Sequence, residues 1–476
     1  MKTTIKYATL LCAAIAVLLA GCKKSQIEKD LNSGYNENAK VEEMTPDEQK
    51  DYLLEVGKEI IATFNPEDQR NAVELAEGLY NKYQLWDWEV IGEQMEEEFN
   101  KIDAQGFFRM PSRIAALVTG ETTTLDTKEL LVSFAVVGRL FEFDDKTQTM
   151  KVSETKDGSI IARFKDAKGT DCELKVWGEG NNTTVTFTYA EYRWEDEFDE
   201  YGNYIGSNKI YEGTRVIKAE VPEEIHMYLK QGSTTIMAMD FTWKSNFKDF
   251  INHSLSLKVT NIAWNQELNV STTEASAVFS LLYGDKKLVV AALDLPKYKL
   301  IDWNGGKDIT LDEGESWIEQ YDAQYEAILG SLGKGEGVVD IIGKVRGKMS
   351  ITDGAGFYDA IKGWNNKDYA NDLEEDKAYC DIFNNYIHIG VYYGGNTEQA
   401  QVKMQPTYYS NDYGEGYYNS VPVLYFPKDE TTYEVMSFFE ETKFNVLIDL
   451  VEDLVNAYKD LDKEHLLFED GRIELN

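Results

Sequence analysis

The chain has 476 residues, of which 43% are hydrophobic and 12% aromatic, and it carries a formal net charge of -36 at pH 7. This hydrophobic and aromatic content excludes a disordered acidic polymer, and the length predicts two to three domains. The negative charge repels phosphate backbones and anionic lipid head groups, which argues against nucleic-acid binding and against electrostatic contact with a membrane surface.

The N-terminus predicts a secretion signal that ends at a lipid-acceptor cysteine. Lys2 and Lys6 accompany an apolar run, Tyr7 to Ala20, that is shorter than the roughly 20 residues needed by a membrane-spanning helix. Leu19-Ala20-Gly21-Cys22 then resembles the lipobox of bacterial lipoproteins. The resemblance implies that residues 1–21 are a removed signal peptide and that Cys22 carries acyl chains such as palmitate.

The residues after Cys22 bear on the cellular location of the protein and predict a spacer. Lys23 stands where some bacterial lipoproteins carry the aspartate that retains them in the inner membrane. The resemblance therefore implies a lipid anchor in the outer membrane of the cell envelope, with the periplasmic and external faces both open. Residues 22–44 are polar and aperiodic, which predicts a flexible tether.

A helical domain is predicted over residues 45–125. Thr45-Pro46-Asp47-Glu48 has the pattern of a helix start, with Thr45 as N-cap, Pro46 at the first helical position and Glu48 completing a capping box. Apolar residues follow at helical spacing. A second helix is predicted after Asn65-Pro66, and a third near residues 90–99.

A curved antiparallel sheet is predicted over residues 126–300. Strand-like runs alternate with turn signals, among them Gly178-Glu179-Gly180-Asn181-Asn182 and Gln231-Gly232. Because the runs follow one another closely, hairpins are favoured over crossover units. Leu288 to Leu293 has the composition of a buried strand.

The remainder, residues 301–476, predicts a mixed domain that ends in an amphipathic helix over about 442–461. Other helices are expected at about 316–332, after Asp353 and at about 373–384, and strands near 338–350, 386–393 and 421–426. The predicted fold class is therefore α+β: an N-terminal helical segment, a large curved antiparallel sheet and a mixed α/β C-terminal part.

Catalytic motifs are missing from the sequence. None of the four histidines lies three or four residues from another, and there is no Gly-x-Ser-x-Gly elbow. Paired carboxylates can cleave glycosidic bonds, but 84 acidic residues give no reason to choose a pair. We nominate no catalytic residue and favour a non-enzymatic role. Cys172 and Cys380 are expected to be buried thiols, with their pairing left open.

One acidic cluster is a candidate calcium site, formed by Glu195, Asp196, Glu197 and Asp199. Calcium takes six to eight oxygen ligands, and these carboxylates can supply several of them. The cluster lacks the Asp-x-Asp-x-Asp-Gly order of calcium loops, so a solvated hairpin tip is the alternative interpretation. No other cofactor is predicted.

Tyrosines on a glycine-rich stretch are the candidate binding residues. Their rings combine flat apolar faces with polar edges, which suit sugars or protein partners. The alternative is that the strand tyrosines pack the sheet while the loop tyrosines are exposed singly. The candidates are Tyr408, Tyr409, Tyr413, Tyr417 and Tyr418.

A second resemblance concerns the layout of the chain. Val221-Pro222-Glu223-Glu224-Ile225, continuing to Gln231-Gly232, and the run Val289 to Leu293 resemble lipoproteins of the Bacteroides type, which join an N-terminal helical segment to a long antiparallel sheet. This implies a compartment and a fold class but no activity. We expect a protein that binds a glycan or an envelope protein, or acts as a scaffold, at the outer membrane. The alternatives are a carrier of an apolar ligand and a hydrolase with non-local carboxylates.

Overall fold

The computed structural model describes most of the chain, in twelve segments. They are residues 35–85, 131–133, 138–144, 146–147, 149–166, 168–198, 204–245, 250–271, 273–296, 332–410, 416–440 and 442–461. The predicted signal peptide, Cys22 and the helices expected near 90–99 and 316–332 lie outside these residues.

The described chain has an α+β fold, as the sequence predicts, and divides into two compact units. Unit 1 comprises residues 1–74, 249–301 and 321–476, and unit 2 comprises residues 75–248 and 302–320. No helix among the described residues is both long enough and apolar enough to cross a membrane.

Unit 2 is built on a mixed sheet. Its strands are β1 (Leu131–Ser133), β2 (Arg139–Asp144), β3 (Thr149–Glu154), β4 (Ile160–Lys165), β5 (Asp171–Phe198), β6 (Tyr204–Gln231) and β7 (Thr234–Ser245). Their order in the sheet is β3-β2-β4-β5-β6-β7, and β1 pairs with β6. The β2–β4 and β1–β6 pairs are parallel, whereas the other described pairs of this sheet are antiparallel.

The β5–β6 hairpin is the longest feature of unit 2, with 28 residues in each strand. β4 pairs with β5 only as far as Val176, and β7 pairs with β6 only from Glu224 onward. Between these limits and the tip, β5 and β6 pair mainly with each other, so the hairpin extends from the sheet as a ribbon. The turn predicted at residues 178–182 is instead a bulge inside β5, because Gly180 has a φ of +78° while the strand continues on both sides.

Unit 1 contains a hairpin and an eight-stranded antiparallel sheet whose strands are adjacent in chain order. The hairpin strands are β8 (Phe250–Val259) and β9 (Ile262–Ser271). The sheet strands are β10 (Glu274–Tyr283), β11 (Lys286–Pro296), β12 (Gly335–Ile341), β13 (Val345–Ile351), β14 (Ile387–Tyr393), β15 (Glu398–Ser410), β16 (Gly416–Phe426) and β17 (Thr431–Glu434).

Six helices are described, and the first has the predicted start. The side chain of Thr45 accepts from the Glu48 backbone N–H, and the Glu48 side chain accepts from that of Thr45, so the capping box is confirmed. The helices are α1 (Pro46–Ile61), α2 (Arg70–Leu85), α3 (Gly354–Asn365), α4 (Asp372–Tyr386), α5 (Val435–Phe439) and α6 (Asn445–Lys459), with short 3₁₀ turns at Pro66–Gln69 and Thr442–Phe444.

Helices of unit 1 pack on one face of the eight-stranded sheet, which we call the inner face. α3 and α4 contribute Trp364 and Phe383 to a core that includes Met404 of β15. α1 places Val56 against Tyr393, and α5 places Phe438 against Phe426. Apolar surface removed from water contributes about 25 cal/mol per Å², so these contacts stabilise the packing of the helices on the inner face. We call the opposite face of the sheet the outer face.

The predicted domain boundaries differ from the observed units. α1 packs on the sheet of unit 1, and strands β10 and β11, predicted to lie in the 126–300 sheet, pair with β12 in the eight-stranded sheet. β11 lies inside the eight-stranded sheet because its apolar run needs burial on both faces, with Val290 and Ala292 on one face and Leu293 on the other.

Residues 35–44, assigned to the tether by their polarity, are hydrogen-bonded to residues 395–399 of the β14–β15 hairpin. The hydroxyl group of buried Tyr35 donates to the Gly395 carbonyl oxygen at 2.7 Å. The Met44 backbone N–H donates to Gln399 Oε1 at 2.7 Å, and Thr397 Oγ1 donates to the Val41 carbonyl oxygen. Backbone hydrogen bonding therefore orders a segment that has little apolar periodicity.

Candidate functional site: the outer face of the unit 1 sheet

The cross-strand register defines which side chains share the outer face. Directly opposed residues of antiparallel strands lie on the same face. Arg346 of β13 pairs with Tyr392 of β14, and Gln401 of β15 pairs with both Gly390 of β14 and Tyr425 of β16. Tyrosine rings and polar side chains therefore alternate across four strands on the face opposite the described helices.

At one end of this face, Glu398 is the centre of a hydrogen-bonded cluster. Its Oε2 atom lies 2.8 Å from His388 Nε2 and accepts from the Tyr392 hydroxyl group at 3.0 Å. Its Oε1 atom accepts from the Gln401 side-chain amide. A Cβ atom at Gly390 would collide with the Glu398 carboxylate and the Tyr392 hydroxyl group, so the glycine gives this side chain room to fold back across the strand.

The electrostatics of this cluster keep its phenol protonated. Burial, followed by the nearby Glu398 carboxylate, raises the pKa of Tyr392 to about 12. Lys348 Nζ lies 5.0 Å from the centre of the Tyr392 ring and 3.4 Å from Glu37 Oε1. Imidazole, hydroxyl and amide groups therefore surround the Glu398 carboxylate, the Lys348 ammonium group lies over the Tyr392 ring, and His388 is half exposed to solvent.

A buried ion pair lies next to this cluster. Arg346 and Asp340 are 1% and 4% exposed, and the Arg346 guanidinium donates to Asp340 Oδ2 at 2.8 Å. The ring of Tyr35 stacks 4.0 Å from the guanidinium, and Glu37 also pairs with Arg346. The N-terminal segment thus covers this ion pair, whereas Gln405 and Tyr417, further along the face on β15 and β16, are exposed.

The predicted tyrosines divide between the two faces of the β15–β16 hairpin. Tyr409 and Tyr417 oppose each other on the outer face with ring centroids 6.0 Å apart, and the Tyr409 hydroxyl group donates to Glu434. Tyr408 and Tyr418 form a second pair on the other face. Tyr417 is 40% exposed and Tyr408 58% exposed. Tyr413 lies outside the described residues.

The outer face continues past this tyrosine pair with Tyr425 and with polar residues that the sequence did not single out. Tyr425 lies beneath Lys403, whose Nζ is 3.9 Å from the ring centre, and Gln405 is exposed further along β15. His388, Glu398 and Gln401 were also missed. The sequence pattern that could have indicated them is the alternation of tyrosine, lysine and glutamine in β14 and β15. The strand register is needed to show that these side chains share one face.

Three of the four predicted calcium residues lie near the tip of the β5–β6 hairpin. Glu195, Asp196 and Glu197 lie within β5, opposite Asn208, Ser207 and Gly206 of β6. Asp199 lies outside the described residues.

A different group of possible metal ligands lies nearer the base of the same hairpin, formed by Glu179, Glu224 and His226. Cys172 and Cys380 are both buried free thiols, as expected.

Comparison of the chain with protein-family models, with curated proteins and with solved structures found no match.

Proposed function

We propose that the outer face of the unit 1 sheet binds a neutral carbohydrate and that Cys22 anchors the protein to the outer membrane of the cell envelope. The observation that carries the proposal is the alternation of tyrosine rings with hydrogen-bonding side chains on a face that no described helix covers. A sugar ring stacks its C–H groups on an aromatic face while its hydroxyl groups exchange hydrogen bonds with polar neighbours.

Two features favour a neutral carbohydrate over other ligands. The net charge of -36 disfavours anionic polymers such as acidic polysaccharides or nucleic acids. The central polar groups of the face are amide, hydroxyl and imidazole groups beside one carboxylate, which match hydroxyl-rich ligands better than the apolar centre of a protein interface. No specific observation among the described residues favours the carrier or hydrolase alternatives.

Tyr417 and Tyr408 provide a matched test, because both are exposed on the same hairpin but on opposite faces. An array of neutral oligosaccharides identifies a ligand for the purified full chain, and titration calorimetry then compares the variants. We expect Tyr417→Ala to weaken binding at least tenfold, or about 1.4 kcal/mol, and Tyr408→Ala to leave it unchanged. Equal effects of the two substitutions, or no binding to any neutral glycan, would contradict the proposal.

A further inference from the structure

A group of potential metal ligands lies on one face of unit 2, where β6 pairs with both β5 and β7. Glu179 of β5 is directly opposite Glu224 of β6, and His226 of β6 is directly opposite Asp240 of β7. The same register places Trp177 opposite His226. Because opposed residues share a face, three strands bring one imidazole and three carboxylates together.

The atoms converge closely enough to hold one ion. One ligand atom from each of Glu179, Glu224 and His226 lies within 4.8 Å of the other two, and His226 Nε2 is 3.7 Å from Glu224 Oε2. Zinc binds imidazole nitrogen and carboxylate oxygen at about 2.0–2.2 Å, so two ligands of one ion in a tetrahedral site lie about 3.4 Å apart. The separation of His226 and Glu224 is already near this value, and small rotations of the glutamate side chains complete the set.

The hydrogen bonding of His226 points to a cation. Its Nδ1 atom is 2.6 Å from Asp240 Oδ1, which assigns the ring proton to Nδ1 when the imidazole is neutral. Its Nε2 atom is buried and has no hydrogen-bond partner among the residues that the structure describes. The lone pair of Nε2 is therefore directed towards the carboxylates of Glu179 and Glu224. A cation bound between the three groups removes the electrostatic repulsion among them.

The surrounding residues hold the ligands in place. The indole ring of Trp177 stacks on His226 at 5.1 Å between centroids, and its Nε1 atom donates to Glu179 Oε1 at 2.7 Å. The bulge directly after Glu179 includes Gly180, whose left-handed φ of +78° suits glycine, and a Cβ atom there would come within 3.3 Å of Glu224 Oε1. β-bulges commonly re-aim side chains next to functional sites, and this one adjoins two of the three ligands.

We propose that Glu179, Glu224 and His226 bind one divalent transition-metal ion of the zinc type, with Asp240 orienting the histidine. An imidazole ligand selects such an ion over calcium and magnesium, which prefer oxygen donors throughout. A carboxylate that accepts from the other ring nitrogen of a metal-bound histidine fixes its tautomer and raises its basicity. Three protein ligands leave a coordination position for water or an exogenous ligand, and both glutamates are reached by solvent.

Titration of the purified, untagged full chain with Zn²⁺ tests the proposal after the chain has been treated with a chelator. In a buffer containing millimolar Ca²⁺, we expect one zinc site per chain. His226→Ala should remove it, and Asp240→Asn should weaken it 10- to 100-fold. His388→Ala is the matched control, since His388 also has a carboxylate partner but is not part of this group, and it should retain the site. Zinc binding by His226→Ala equal to that of the parent chain, or competition by Ca²⁺, would overturn the proposal.

A second measurement does not depend on a single variant. Co²⁺ bound to the parent chain should give visible absorption bands that disappear in Glu224→Gln, a nearly isosteric substitution, while circular dichroism of this variant is unchanged. Bands that persist in Glu224→Gln would contradict the assignment. Substitution of Glu195, Asp196 and Glu197 by alanine should leave the bands intact, and their loss in that variant would place the ion at the hairpin tip instead. Carbohydrate binding by unit 1 is measured separately, so either proposal can fail without the other.

Discussion

At the scale of single residues, Asp157 illustrates how a local turn perturbs a carboxyl group. Its Oδ1 atom accepts from both the hydroxyl group and the backbone N–H of Ser159, and these bonds lower the pKa of Asp157 from 3.8 to about 2. A lowered carboxyl pKa stabilises the folded state at pH values above the ordinary pKa of 3.8, and this contribution to the free energy of unfolding is lost as the pH falls through about 2.

We expect Ser159→Ala to raise the pKa of Asp157 towards its ordinary value, because the hydroxyl bond is the largest cause of the shift. An NMR titration of ¹³C-labelled aspartate carboxyl groups measures the midpoint directly. An unchanged midpoint in Ser159→Ala would show that the turn does not set the pKa.

The buried ion pair predicts a large effect on stability. Asp340→Ala leaves the buried Arg346 guanidinium without its most buried partner, and such removals cost about 3–5 kcal/mol. Glu336→Ala, on the same strand, removes only an exposed pair with Lys334 and should cost at most about 1 kcal/mol. Urea unfolding compares the two free energies, and a similar small loss in both would show that the pair contributes no net stability.

At the scale of secondary-structure elements, the sequence predicted features set by neighbouring residues but not those set by strand pairing. The capping box at Thr45 depends on residues three positions apart, so the sequence identifies it directly. The Gly-Asn pair at residues 180–181 has the composition of a turn, but the pairing of β5 with β6 on both sides turns it into a bulge. Because the sequence predicted a turn there, it did not predict that Glu179 lies close to His226. The two residues are 47 positions apart in the chain but neighbours across the β5–β6 pair.

The Glu398 side chain of β15 lies against Gly390 of β14, and this contact between strands can be tested by substitution. Gly390→Ala forces the Glu398 carboxylate away from His388 and Tyr392, so we expect carbohydrate binding to weaken about tenfold, or 1.4 kcal/mol. The displaced group is the end of a flexible side chain, so the melting temperature should change little.

Gly347→Ala on β13 is the control, because a Cβ atom there has no described neighbour within 4 Å. Calorimetric titration and thermal melting of both variants distinguish the outcomes. Unchanged binding in Gly390→Ala would remove the Glu398 cluster from the binding site.

At the scale of the whole molecule, composition and periodicity predicted the α+β class but not how the chain divides. Unit 1 joins α1 from residues 46–61 to strands more than 200 positions later, and side-chain burial determines such long-range pairing. The tyrosines were visible as a group in the sequence. Their division into two faces depends on the register of Tyr408 with Tyr418 and of Tyr409 with Tyr417.

The proposed lipid anchor also has consequences for the whole molecule. The thirteen peptide units from Cys22 to Tyr35 span at most about 45 Å when fully extended, so an acylated Cys22 keeps unit 1 near the bilayer. We expect labelled palmitate to be incorporated into the parent chain and not into Cys22→Ala, which should leave the membrane fraction. Unaltered fractionation of Cys22→Ala would contradict the anchor.

Chemical modification of tyrosines in the presence of ligand tests carbohydrate binding by the outer face most directly. With the neutral oligosaccharide selected on the array, we expect nitration of Tyr417 to be suppressed, while Tyr408 on the opposite face reacts at the same rate with and without ligand. Mass spectrometry of the digested full chain measures both rates in one sample. Protection of Tyr408 without protection of Tyr417, or no protection of either ring at saturating ligand, would contradict the assignment of the outer face as the binding site.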